Sequence, residues 1–341
     1  MKKQKDTMYG GNSMNMKKIV LTMMMVMLLS VLAACGTKEK TITIYSCSED
    51  YRIAAMQAML DEEFPDLDIV IEYNSTGNLA AKILAEGKET DCDIIMDLEN
   101  TYLEKLQDNL ARLENVDFSI YLDELVPQSH KYVPSERTSG VIVVNNKMIE
   151  ERNLPNPVSY DDLLKPEYKG LISMPNPKSS STGYMFLLSM VNTRGEAEAF
   201  AYFDQLAENI SGEGFTASSS GPIKALKLGE AAIGLCLTNH AVEEINNGSD
   251  YQLIYFEEGA PSNAYSYAVI DGKQNDKDIM RVFDYIVTDF IPYDKEMFVP
   301  EKIYKDKDYS LKNFPTEIKY ADMTGIDNID LKEELLGKWK Y

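Results

Sequence analysis

Histidine occurs twice in this 341-residue chain and tryptophan once, and cysteine only four times. No CxxC pair is present, which removes zinc ribbons and dithiol redox motifs. His130 and His240 are far apart and show no ligand-like spacing. With no GxSxG, no HExxH and no P-loop, the chain also lacks the constellations of serine hydrolases, zincins and nucleotide hydrolases. Basic residues are scarce too, with 34 Lys and Arg against 55 Asp and Glu, a net charge of −21. A phosphate backbone needs a basic surface, so nucleic acid is excluded as a partner. An enzyme is the weakest reading of such a chain.

The one long apolar run, Ile19 to Leu29, is too short for a stable membrane span. It follows two lysines and leads to "LAAC", Leu32 to Cys35, which is the layout of a secretory signal. Residues 1–34 therefore read as a signal peptide with an upstream extension, and Met14 or Met16 as alternative starts. "LAAC" matches the bacterial lipobox, which predicts lipidation of Cys35 and anchoring to the outside of the cell membrane, with residues 35–40 as a polar tether. Residues 1–34 carry five lysines and one aspartate, so the remainder is more acidic still, at −25. Cys47, Cys92 and Cys236 each border a strand-like run and read as small buried hydrophobes. A single disulfide among them stays open, but no disulfide framework exists.

From Thr41 on, strand and helix patterns alternate. "TITIYS", "LDIVIEYN" and "CDIIMDL" read as strands, and "YRIAAMQAMLDEEFP", "STGNLAAKILAEG" and "NTYLEKLQDNLARL" as the helices between them. This pattern predicts an α/β protein with a parallel, helix-covered sheet. "TSGVIVVNNKMI" opens a second α/β segment, and "YQLIYFEEG" and "NAYSYAVIDG" bring strands back before the helix "DKDIMRVFDYIVTDF". Residues 291–341 read as charged and irregular. Crossings near residues 138–146 and 255–270 predict two lobes: 41–137 with 268–341, and 138–267.

Three clusters of hydroxyls stand at expected helix starts: Ser75-Thr76 in "NSTGN", Ser179 to Thr182 in "KSSSTGY", and Ser218 to Ser220 in "ASSSGP". One hydroxyl suffices to cap a helix. Several, followed by Gly77, Gly183 or Gly221, suit an oxyanion held by hydroxyls and free N–H groups at the positive helix end. Plain capping is the competing account. Further candidates are Ser46 and Ser48 after the first strand, Asp97 and Glu99 after the third for an amine or hydroxyl, and the aromatics Tyr184, Tyr265 and Tyr267. Residues 265 and 267 share a strand face.

The run "TITIYS", "EYNSTGNLAAKILAEG", "CDIIMD", "VIVVNN", "SYDDLLKPEYKGLISMPNPKSSSTGYMFL", "LGEAAIGL" and "YFEEG" resembles the solute-binding lipoproteins of bacterial ABC importers. It is similar to the group that binds ferric ion, 2-aminoethylphosphonate, hexose phosphates or thiamine. The resemblance covers roughly residues 41 to 290. It implies the two-lobed type II periplasmic-binding-protein fold with hinge-crossing strands, a monomer that closes on a solute, no cofactor, and delivery to a permease and its ATPase. The serine loops favour a small phosphonate or phosphorylated organic anion. Ferric iron is the alternative, held by Glu99, Tyr184, Tyr265 and Tyr267, although the adjacent tyrosine pair typical of iron binders is missing. A sensory lipoprotein without a permease and a polyamine binder are further alternatives.

Overall fold

The computed structural model describes Thr41–Tyr341 apart from Glu213, so the expected signal peptide and the expected lipidation site at Cys35 lie outside the described residues. Strand β1 (Thr41–Ser46), helix α1 (Asp50–Glu63), strand β2 (Asp68–Tyr73), helix α2 (Thr76–Glu86) and strand β3 (Ile94–Glu99) follow one another as alternating αβ units. β1 and β3 pair in parallel. The short helix α3 (Asn100–Lys105) comes next. The sequence predicts that helix to run on to Leu113. It stops early because Leu110 and Ala111 turn out to bond the chain near Val269 and Ile270 at the sheet end.

The 14-residue strand β4 (Tyr132–Asn145) and β8 (Ser262–Val269) join the two halves of the molecule. Between them come α4 (Asn146–Arg152), β5 (Ile172–Ser173), α5 (Ser181–Arg194), α6 (Glu196–Leu206), α7 (Gly221–Leu228), β6 (Ile233–Leu237), α8 (Thr238–Asn246) and β7 (Tyr251–Ile254). The sheet order is β2-β1-β3-β8-β4-β6-β5, with β7 also on β4. Along β4, Tyr132 to Ser139 pair with β8, whereas Gly140 to Asn145 pair with β6 or β7. The partner switch falls at Gly140, where a side chain would meet the Phe186 ring at 2.8 Å.

Side chains alternate across a strand, so each half of β4 feeds two apolar layers. Val133 joins a core with Ile44, Met56, Leu60 and Phe283, and Tyr132 faces Leu79, Ile83 and Leu103 on the other side. Ile142 and Val144 enter a core with Tyr184, Phe203 and Ile233, and Val141 and Val143 pack on Leu226 and Ala241.

After α9 (Lys277–Tyr285), a π-helical turn over Ile286–Phe290 leads into α10 (Ile291–Met297). The tail is less irregular than its composition predicts, because α11 (Ile329–Lys338) forms there. Leu335 and Trp339 complete the core around Tyr184 and Phe203, while Ile303 and Tyr304 join the core of the first half. Cys47, Cys92 and Cys236 are free thiols.

Candidate functional site

A cleft of about 530 Å³ opens beside the β4 and β8 crossing, between the ends of β1 and β3 and the starts of α5, α7 and α8. All three hydroxyl clusters reach it, through Ser75 and Thr76, through Ser179, Ser180 and Ser181, and through Ser218, Ser219 and Ser220. Ser75, Ser180 and Ser220 occupy the N-cap positions of α2, α5 and α7, yet none of their side-chain hydroxyls accepts a hydrogen bond from its own helix. Asn145, Asp276 and Asn328 do make that bond at the starts of α4, α9 and α11. Capping therefore does not account for the serines. None of the three helices has an acidic residue in its first turn, so their positive ends face the cleft unneutralised.

The hydroxyls are linked to one another instead. Ser219 Oγ is 2.8 Å from Ser180 Oγ and accepts from Thr182 Oγ1 at 2.8 Å, which ties the α5 loop to the α7 loop. Ser218 and Ser220 are 3.2 Å apart, and Ser181 Oγ lies 2.6 Å from the Tyr265 hydroxyl on β8. Lys224, on α7 above this loop, adds a cation that the motif reading overlooks.

The opposite wall is acidic and is organised by Arg52. This arginine is 2 % exposed, and its guanidinium donates to Asp294 at 2.7 Å, to Asp97 at 2.9 Å and to Glu49 at 3.2 Å, with Glu136 2.9 Å away. Burial disfavours the charged carboxyls and raises the pKa of Glu136 and Asp294, although Arg52 pulls in the other direction. Burial likewise acts to raise Glu49, but the bond to His240 and the charge of Arg52 win, and its pKa is lowered. Glu49 Oε1 meets His240 Nε2 at 2.8 Å, so a residue at the start of α1 touches the first turn of α8 across the cleft. His240 thus belongs to the site, although its sequence context gave no sign of it.

Arg52 did leave a sequence signal. With Met56 and Leu60 it lies at i, i+4 and i+8 on the buried stripe of α1, where a charge requires partners. Glu136, Thr138 and Lys224 also line the cleft and carry no motif.

Several candidates stand behind the wall rather than on it. Ser46 is fully buried and its Oγ accepts from the Ser48 N–H at 3.0 Å. Ser48 lines the cleft but donates to Asp97. Asp97 lines it too, yet its oxygens are occupied by Arg52, Ser48 and Ser135, and its backbone is left-handed at a φ of 52°, where the pairing of β3 with β8 shifts register. Glu99 points away and is clamped by Lys332 at 2.7 Å to each oxygen and by Asn263 at 2.8 Å. This corrects the expectation that Asp97 or Glu99 is free to hold a ligand amine. Thr182 is buried and positions Ser219.

The glycines also serve a different purpose from the one expected of them. A Cβ on Gly183 would stand 2.5 Å from the Pro175 carbonyl oxygen, and one on Gly221 would stand 2.3 Å from Thr216. They let the loops close on each other, while Gly77 is crowded by nothing nearer than the Tyr102 hydroxyl at 3.9 Å. Of the four residues proposed for iron, only Tyr265 lines the cleft. Tyr184 and Tyr267 are buried, and burial raises the pKa of both phenols, which opposes the phenolate form. Among the described residues no group of three His, Cys, Asp or Glu side chains could hold a metal ion.

Residues 93–291 match the family described as bacterial extracellular solute-binding protein. An uncharacterized protein of Haemophilus influenzae is 25% identical over 275 residues, covering 77% of this chain and 78% of its own length. The phosphoglycerate transport regulatory protein PgtC of Salmonella typhimurium is 23% identical over 217 residues, 62% of this chain, and the match spans about half (53%) of PgtC. The periplasmic binding protein AfuA from Actinobacillus pleuropneumoniae, solved with fructose-6-phosphate bound, superposes with a TM-score of 0.77 at 19% identity, covering 88% of this chain and 98% of AfuA. Iron-bound HitA from Pseudomonas aeruginosa gives 0.72 at 17% identity, with 87% and 98% covered. The fold is the two-lobed type II periplasmic-binding-protein fold.

Proposed function

This chain belongs to the bacterial extracellular solute-binding proteins of ABC importers, and from that premise we propose that its cleft captures a small phosphonate or phosphorylated organic anion for delivery to a permease. The observation that carries this reading is the meeting of three uncapped helix starts, all bearing serines, on one cavity. Their hydroxyls, first-turn N–H groups and Lys224 offer donors to an oxyanion without a metal. The names of PgtC and of the AfuA complex point toward phosphorylated solutes and support the same choice.

Closure follows from the chain path. Lobe 1 takes residues 41–137 with 268–341 apart from α11, lobe 2 takes 138–267 together with α11, whose Leu335 and Trp339 pack into its core, and β4 and β8 form the hinge. A solute bridging the serine loops and the Arg52 wall stabilises the closed form by its differential affinity. Lipidation at Cys35 keeps the receptor at the outer face of the membrane. Among the described residues no helix is long and apolar enough to cross a membrane.

The test is thermal unfolding against phosphonates, phosphate esters, inorganic phosphate, thiamine, spermidine and chelated ferric ion. A ligand at ~100 Kd adds about 2.7 kcal/mol to the folded state. A shift with a phosphorylated or phosphonate solute supports the reading, and replacing Ser180 and Ser181 by alanine then weakens binding by about 1.5–3 kcal/mol per lost hydrogen bond to the charged group. A shift with ferric ion alone, or unchanged affinity in the double variant, overturns the site.

A further inference from the structure

Helix α11 contributes nothing to the cleft, since no residue after Tyr265 lines it. It is nevertheless attached to both lobes. Leu335 and Trp339 pack with Tyr184 and Phe203 of lobe 2, and Lys338 pairs with Glu196 of α6 at 2.7 Å. The chain leading into α11 is held on the same lobe by Asn192 of α5, which donates to the carbonyls of Asp322 and Thr324 at 3.0 Å each. The other attachments go to lobe 1. Thr101 of α3 donates to the Ile326 carbonyl at 2.7 Å, and Lys332 clamps Glu99, the last residue of β3, at 2.7 Å to each oxygen. Lys332, Leu335 and Trp339 are spaced i, i+3 and i+7, so they form one stripe. A single helix face thus runs from an ion pair on one lobe to the core of the other.

The joint between the lobes is Lys332. It is 3 % exposed, and Glu99 is fully buried. Its ammonium lies 4.5 Å from the Tyr102 ring of α3 and 4.7 Å from the Tyr184 ring of α5, so one aromatic ring from each lobe flanks the cation. Glu99 also accepts from Asn263 of β8 and pairs with Tyr265 in the ladder between β3 and β8. Tyr265 in turn meets Ser181 of the serine loop. The joint and the cleft therefore touch the same hinge strand at positions 263 and 265. Separating a buried ion pair leaves both charges uncompensated. A swing of lobe 2 that carries α11 along and leaves Glu99 behind is opposed for that reason.

We propose that α11 is a strap across the hinge, holding the lobes in the closed arrangement in which Glu49 meets His240, and that Lys332 leaves Glu99 when the lobes open. Part of the receptor's affinity is then set outside the cleft. Apparent affinity scales with the fraction of protein in the binding-competent form, so the strap acts alike on every solute, whichever one the serine loops take.

Amide hydrogen exchange of the solute-free full chain, read by mass spectrometry, tests the proposal. In Lys332→Met, peptides bearing residues 46–52 and 238–243, which meet through Glu49 and His240, are expected to exchange at least roughly threefold faster than in the parent. Peptides from α9 and α6, inside the two lobe cores, are expected to keep their parent rates. Lys338→Ala removes contacts made only to Glu196 of lobe 2 and to Glu334 of α11 itself, and is expected to change neither. Lys332→Met leaves Glu99 without its cation, so Glu99→Gln combined with Lys332→Met, which leaves no unpaired charge, is measured beside it and is expected to give the same pattern. Parent-like exchange at the cleft in a folded variant overturns the proposal. Faster exchange of cleft and cores together in both variants also overturns it, because that is the mark of lost stability rather than of a released hinge.

Discussion

Replacing Arg52 by methionine keeps the buried stem and removes the guanidinium that Asp294, Asp97 and Glu136 approach at 2.7, 2.9 and 2.9 Å. Removing one partner of a buried ion pair costs about 3–5 kcal/mol, because the remaining charge is left uncompensated. Here these three carboxyls, and Glu49 at 3.2 Å, lose one cation, so the upper end of that range, about 5 kcal/mol, is expected near pH 7.5. The pH dependence makes the argument specific. Burial already raises the Glu136 and Asp294 pKa values, with Arg52 holding them down, so the substitution raises them further. A carboxyl whose pKa is higher folded than unfolded binds its proton more tightly in the folded state, so stability falls as pH rises and is regained on acidification. The deficit of the variant should therefore shrink on going from about pH 7.5 to about pH 5. Equilibrium urea unfolding followed by circular dichroism at both pH values measures it. A loss below about 1 kcal/mol, no larger than an exposed ion pair supplies, would falsify this account of the wall. So would a deficit that does not change with pH.

Three further outcomes are expected. Gly183→Ala forces a methyl group to within 2.5 Å of the Pro175 carbonyl; it should destabilise the protein by about 1–3 kcal/mol and weaken oxyanion binding, and a variant as stable as the parent in urea would contradict the packing argument. Glu49 has a lowered pKa in the folded protein, so its contribution is present above its ordinary value of about 4.5 and is lost as pH falls below it. Glu49→Gln should consequently flatten the acid side of the stability curve, and an unchanged acid limb speaks against the His240 and Arg52 contacts. Trp339→Ala empties a site that is 1 % exposed and lies against Phe203 and Phe215, with ring centroids 5.3 and 5.1 Å away. A loss of about 3–5 kcal/mol is expected, and a loss near zero would mean that the tail does not complete that core.

Local patterns carried a good deal of the fold. The alternating run "TITIYS", the apolar run "CDIIMDL" and the helical stripe between them form the elements they predict. Patterns misled where a distant partner took over. The expected helix after Asn100 ends at Lys105 because Ala111 finds the Val269 carbonyl. The tail looked irregular because its apolar residues, Leu335 and Trp339, are matched to a surface built some 140 residues earlier, which no local window contains.

By itself the sequence determined which segments alternate as strand and helix, and that hydroxyls gather at three helix starts, because periodicity and helix-end chemistry act over a few residues. Only the tertiary structure decided which of those residues share a cavity. It brought the serine loops together, turned Glu99 away to Lys332, and set Thr138 and His240 on the same cleft as the serines. Arg52 marks the boundary between the two. Its place on an apolar stripe was written in α1, but the carboxyls that make its burial tolerable come from residues 97, 136 and 294. Burying a charge is a long-range bargain between elements, and a linear pattern states only one side of it.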